Sequence, residues 1–281
     1  MFQYSFMIRT LLVSVMISII IPLIGIVIVN RGTAMIGDAL SHVSLAGVAI
    51  GLIFSVNPLI GAIIACIIGA FSIEKIRKKF PQFGDMATAI ITSVGLGLAA
   101  VLSDFSPGGN SFDAYLFGSI ASVSNIDVII VLVTFIFVVA ISFIYYFGLL
   151  SIAVDKQLAK MSGVNVERIN AIFTFLSAIT IALSSKIIGA LMVTSLIVLP
   201  VASSLLISRS YKKTFFNTIF LGVVYTLLGV TLSYYFDVKP GGSIVIIASL
   251  GMLVCLLISK INRKNNSKNF SKIQNSDICK V

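Results

Sequence analysis

The stretch Ile36–Gly51, IGDALSHVSLAGVAIG, sets an aspartate and the chain's single histidine four residues apart in an otherwise apolar run. On an α-helix that spacing puts Asp38 and His42 on one face, a turn apart, with Ser41 and Leu45 along the same stripe. If the helix lies in a membrane, an aspartate at its centre costs about 2.5–3.5 kcal/mol on insertion scales. Such a residue is retained where it faces a cavity, a partner or an ion path.

The composition puts the helix in a membrane. Of 281 residues 58% are hydrophobic and 11% charged, with a mean hydropathy of +1.10, whereas a soluble domain carries about 25% charged residues. One globular core cannot absorb that much apolar surface, so the expected fold is all-α, a polytopic membrane helix bundle. Helices are favoured because unpaired backbone groups are costly in lipid. Apolar runs near the spanning length of about 20 residues lie at 10–29, 34–56, 58–73, 86–103, 126–148, 169–185, 187–207, 214–236 and 242–259. Several abut, so the count stands at about eight or nine, with ten still open. The first run is long enough to span and no A-x-A site follows it, which makes it a membrane helix rather than a cleavable signal.

The net charge of +10 is concentrated in a few loops. EKIRKK at 74–79, RSYKK at 209–213, the loop 151–170 with Lys156, Lys160 and Arg168, and the tail from Lys260 are all basic. By the positive-inside rule these four are cytoplasmic. Residues 103–127 have no Lys or Arg but carry Asp104, Asp113 and Asp127, so they face outward. The basic charge therefore sets membrane orientation, and no nucleic-acid partner is expected. Residues 1–260 form the membrane unit, and the polar tail 261–281 has little to bury and is expected to be mobile.

Cys66, Cys255 and Cys279 are scattered and imply neither a disulfide framework nor a thiolate metal site. Gly47 and Gly51 form a GxxxG in the Asp38–His42 helix, which permits close helix contact and places that helix in the interior. Gly95, Gly97, Gly118, Gly148 and Gly189 extend the pattern of small residues. A carboxylate and a neutral imidazole are both ligands for zinc or manganese. A bound cation favours the ionised acid and the unprotonated imidazole. Two ligands do not complete a tetrahedral site, so other side chains, waters or a second chain must supply the rest. The spacing alone leaves three readings open: a structural hydrogen-bonded pair, a metal path, and a proton relay.

The words around the pair narrow this. IGDALSHVSLAGVAIG resembles the signature of the metal-ion family of ABC importer permeases, the membrane subunits that take up zinc, manganese or iron. FDAYLFGSI (112–120), IAVDKQLAKMSGVNV (152–166), GALMVTSLIVLPVASSLLIS (189–208) and SYYFDVKPGGSIVII (233–247) are similar to later segments of that family, in order. The resemblance implies a permease domain over 1–260 in a bacterial cell membrane, with Asp38 and His42 meeting the metal. It also implies a cytoplasmic coupling segment near 152–168, with Asp155, Leu158, Ala159 and Gly163 addressing a separate ATP-binding subunit. Asp155 can cap a short helix ending at Met161, and Gly163 suits its C-terminal turn.

No G-x-x-x-x-G-K-[ST] occurs, so the chain carries no P-loop and is expected to be a transport subunit rather than an enzyme. An extracytoplasmic metal-binding protein and a second copy of the chain are the other implied partners. No cofactor is expected to be permanently bound; the divalent metal is cargo. Ser44-Leu45-Ala46-Gly47 follows the form associated with zinc members, so zinc is favoured and manganese or iron is the alternative. An iron-chelate permease and a proton-coupled secondary transporter are the remaining rivals. The absence of HExxH and of a second histidine weighs against an intramembrane metalloenzyme.

Overall fold

A computed structural model describes residues 5–105, 109–119, 123–208 and 210–278. The side chains of Asp113, Lys156 and everything beyond Ile261 lie outside the described set, as does Arg209. The expectation of a mobile tail falls there too.

The chain is helical throughout its described residues. In order the helices are α1 (Ser5–Asn30), α2 (Met35–Ile53), α3 (Pro58–Lys79), α4 (Gly84–Phe105), α5 (Gly109–Phe117) and α6 (Asn125–Ile144). Then come α7 (Tyr146–Val154), α8 (Lys156–Met161), α9 (Val166–Ser184), α10 (Ala190–Ile207), α11 (Tyr211–Phe236) and α12 (Pro240–Ile278). Their ends carry recognisable punctuation. Asn57 Oδ1 accepts from the Leu59 amide at 3.0 Å, and Pro58 fills the first position of α3, where its missing N–H costs nothing. Ser124 and Asp127 form a reciprocal capping box at the start of α6.

Eight helical stretches are long and apolar enough to cross a membrane, and one of them, Val166–Ile207, has 42 residues. A straight helix of that length would be about 63 Å long, twice the hydrocarbon thickness. It turns back instead. A π-turn over Ser185–Gly189 joins α9 to α10, and Gly189 has φ +96°, in the region that glycine enters without penalty. Helix α1 is the ruler that shows the reversal. Phe173, near the start of α9, lies 5.3 Å from the guanidinium of Arg31 at the end of α1. Val201, late in α10, packs by Gly25 of the same end of α1. The turn between the two arms abuts Gly241, at the start of α12.

With that stretch counted twice, the eight become nine crossings among the described residues. The parity agrees with the charges. Both 151–170 and 209–213 are basic, so the chain between them must cross an even number of times. The expected separate helices at 169–185 and 187–207 are thus two arms of one reversing stretch. If the basic C-terminal end is cytoplasmic, as the positive-inside rule predicts, an odd count puts the start of α1 outside.

Two elements depart from the sequence expectation. The run 126–148 breaks at Tyr145, and α7 leads off into the coupling segment. Within the outward segment, α5 is nine residues, about 14 Å and too short to span. It re-enters the bundle, where Phe112, Tyr115 and Leu116 pack on Leu45, Ala46, Ala99 and Ala190. Irregular backbone at such a depth is tolerated where protein buries it.

Helix α2 packs on α3 backbone to backbone. A Cβ on Gly47 would overlap the Gly61 carbonyl and stand 2.7 Å from Ala65 Cβ and 2.8 Å from Ala62 Cα. Neither side can yield without moving a helix. Gly47→Val is therefore expected to destabilise the folded protein by at least about 1–3 kcal/mol, seen as a lowered thermal unfolding midpoint in detergent. Gly97→Ala, where a Cβ would meet open space, should be near neutral.

Candidate ion-path site

Three neighbours grip α2 and leave the stripe of Asp38 and His42 only partly covered. Helix α3 takes the side of Leu40 and Gly47, where the Cys66 thiol donates to the Leu40 carbonyl at 3.2 Å. Helix α4 comes within van der Waals distance at Val43 and the backbone of His42, opposite Gly95. Helix α10 reaches Gly37 through Ile197 and Thr194, and the Ser44 and Ser185 hydroxyls meet at 2.8 Å. The remaining side carries Asp38, His42 and Leu45, with α5 packed over its outer end at Leu45.

On this stripe His42 Nε2 stands 3.7 Å from Asp38 Oδ1, with side-chain exposures of 14% and 36%. That separation exceeds the ~3.2 Å limit of a protein N–H···O hydrogen bond. The structural hydrogen-bonded pair is therefore not what the geometry presents. Two ligands at ~2.1 Å from a tetrahedral cation stand roughly 3.4 Å apart, close to the observed gap. Both groups could hold one cation after a small adjustment. The other ring nitrogen, Nδ1, is buried without a hydrogen-bond partner, and so is the nearby Thr194 Oγ1. Ser41, expected on the same stripe, is instead buried and donates to the Gly37 carbonyl at 2.8 Å. Among the described residues no third His, Cys, Asp or Glu joins the pair.

At the outer end a buried ion pair ties the π-turn to α6. Asp127 Oδ2 accepts from Lys186 Nζ at 2.6 Å, from the Ser124 hydroxyl at 2.7 Å and from the Ser124 amide at 2.8 Å. Lys239 Nζ sits 3.9 Å from the centre of the Phe117 ring of α5, a cation–π contact. In the sequence Asp127 stands only as an outward acid, and Lys186 carries no expected role. The available signal was a lone lysine inside an apolar run, which needs a partner in a membrane.

At the cytoplasmic end Asp155 caps α8, its Oδ1 accepting from Gln157 N at 2.7 Å and Leu158 N at 3.2 Å. The helix closes with a Schellman motif: Val164 N donates to Ala159 O at 3.1 Å and Gly163 N to Lys160 O at 3.2 Å, with Gly163 at φ +81°. Ala159 is buried, while Leu158 and Met161 are 59% and 84% exposed. The short helix is thus pinned on one side and leaves an apolar face exposed on the other.

Comparison with known proteins agrees with this arrangement. Residues 3–259 match the ABC 3 transport family. The chain is similar to the high-affinity zinc uptake system membrane protein ZnuB of Haemophilus influenzae, 29% identical over 90% of this chain and 98% of that protein. It is also similar to the manganese transport system membrane protein MntC of Listeria monocytogenes, 27% identical over 92% of each. Among solved structures, PsaBC from Streptococcus pneumoniae in complex with Fab superposes with a TM-score of 0.81, at 26% identity, covering 90% of this chain and 91% of that one.

Two outcomes test the ends of the site. Lys186→Met leaves the Asp127 charge buried and unpaired and should destabilise the protein by about 3–5 kcal/mol. The double variant with Asp127→Leu should recover much of that loss in thermal unfolding. Asp155→Ala should cost about 1 kcal/mol locally and speed amide exchange at Gln157 and Leu158 roughly fivefold.

Proposed function

The chain belongs to the ABC 3 transport family, and on that premise we propose that it passes zinc through the membrane between two copies of itself. It is a multi-pass bacterial cell-membrane protein and a metal-transport component rather than an enzyme. Asp38 and His42 are the groups the ion meets. The observation that carries this reading is their 3.7 Å pairing on a partly exposed side of α2. One chain offers two ligands there, and two chains facing each other offer four, the number a zinc ion takes. The partial exposure of Asp38 also favours a shared path over a pore within each protomer.

Energy comes from a separate ATP-binding subunit, since the chain has no P-loop. Its docking point is α8, where exposed Leu158 and Met161 stand on a helix anchored by Ala159 and capped by Asp155. Closure of the ATPase moves α8, and α7 and α9, joined to its two ends, carry the motion into the bundle. An extracytoplasmic binding protein delivers the metal on the side of α5. Zinc is preferred over manganese on the Ser44–Gly47 wording, and the relatives named above include both kinds.

The test is uptake of radioactive zinc and manganese by vesicles containing the chain, its ATPase and its binding protein. Asp38→Ala and His42→Ala should each insert normally and lose more than tenfold of the ATP-driven uptake. Variants that transport like the parent would show that the ion travels elsewhere. ATP-independent uptake driven by a proton gradient would favour a secondary transporter.

A further inference from the structure

The cytoplasmic end of the bundle holds a cavity of 610 Å³, bounded by the α1–α2 turn, the end of α3, α7 and the start of α9. Small-molecule sites have volumes of about 300–1,000 Å³. It is separate from the ion stripe. Ile36 and Leu40 of α2 line it, and at 3.6 residues per turn Asp38 and His42 point roughly 160° away.

The lining is basic. Arg31, Arg77 and Lys78 contribute three cations against the single acid Glu74, and Glu74 is 3.7 Å from Lys78 in its own helix. Arg31 is the unusual member. Its Nε and Nη2 atoms are buried and have no hydrogen-bond partner among the described residues. These two nitrogens form one edge of the guanidinium, the edge that grips an oxyanion with two parallel hydrogen bonds. The Phe173 ring, 5.3 Å away, holds the group in place. Burial lowers the Arg31 pKa to about 10, with Glu74 opposing that shift and Arg77 adding to it, so the guanidinium stays charged at neutral pH. A buried charge with unused donors is costly unless something satisfies them. Asn170 Oδ1 is buried and unpartnered on the same cavity wall, an acceptor for a hydroxyl or ammonium near the anion.

We propose that this cavity binds a phosphate group, gripped by the Nε–Nη2 edge of Arg31, balanced by Arg77, with Asn170 receiving a donor on the attached group. The depth, level with the cytoplasmic ends of α1 and α3, suits the headgroup of an anionic lipid. A soluble phosphate ester offers the same chemistry. No other charged residue of the bundle provides a buried, pre-aimed fork of this kind among the described residues.

The full-length chain, purified in a maltoside detergent that contains no phosphate, is titrated with phosphatidylglycerol in one arm and glycerol 3-phosphate in the other. The readout is the thermal unfolding midpoint. A saturable rise in either arm is expected, and the arm that responds at lower concentration identifies the source. Arg31→Gln should weaken the response roughly tenfold or more, the worth of one charged hydrogen bond. If Arg31→Gln does not fold, Asn170→Ala and Arg77→Gln take its place, while Lys212→Gln, on the same membrane face but outside the cavity, should respond like the parent. A flat midpoint in both arms, or an equal response in the parent and all cavity variants, overturns the proposal.

Discussion

Backbone contact between α2 and α3 is the constraint on which the rest of the arrangement depends. Gly47 and Gly61 let two main chains touch where any side chain would hold them apart. Lipid tails give apolar helices little reason to associate, so close van der Waals approach must supply the attraction. Once α2 is seated this deeply, α4 and α10 close on two further sides of it, through Gly95 and Gly37. The acid and the imidazole are then left on the side that α5 covers at its outer end, by Leu45. The stripe keeps partial exposure, 36% at the Asp38 side chain and 14% at His42.

The outer closure rests on a different kind of force. The π-turn between α9 and α10 frees backbone groups at a depth where water is scarce, and it brings Gly189 against Gly118 of the α5 connection. Both residues have positive φ, +96° and +79°, so the two chains can pass without side chains between them. Asp127 and Lys186 then fasten the turn to α6. The pair is fully engaged, because Ser124 supplies two more donors to the same carboxylate oxygen. A buried pair of this kind is weak evidence for added stability but strong evidence for a fixed arrangement. The turn it fixes also carries Ser185, whose hydroxyl meets Ser44 on α2. Outer closure and ion stripe are thus linked by two hydrogen bonds and five residues of backbone.

The two ends of the molecule divide the polar work. Outside, a single buried ion pair and a lysine over an aromatic ring organise a re-entrant helix. Inside, basic residues gather around a cavity and beside a short capped helix that exposes Leu158 and Met161. Between them one acid and one imidazole share a partly exposed face of α2. That distribution suits a subunit that receives a cation on one side and is moved by a partner on the other.

The sequence by itself determined the class of fold, the capped helix at Asp155 and the placing of Asp38 and His42 on one helix face. Each of these depends on composition or on spacing within one helix, and such local relations survive whatever the rest of the chain does. The sequence already separated spans at 169–185 and 187–207, and the tertiary structure added the form of the break, a π-turn ending at Gly189. Only the tertiary structure revealed α5, which is too short to register as a span and is recognisable only by what buries it. Lys186 and Asp127 are 59 residues apart, and Arg31 meets Phe173 from a different helix, so neither contact has a local signature. Which face of α2 stays partly exposed was also beyond the sequence, because it depends on how three other helices pack around it.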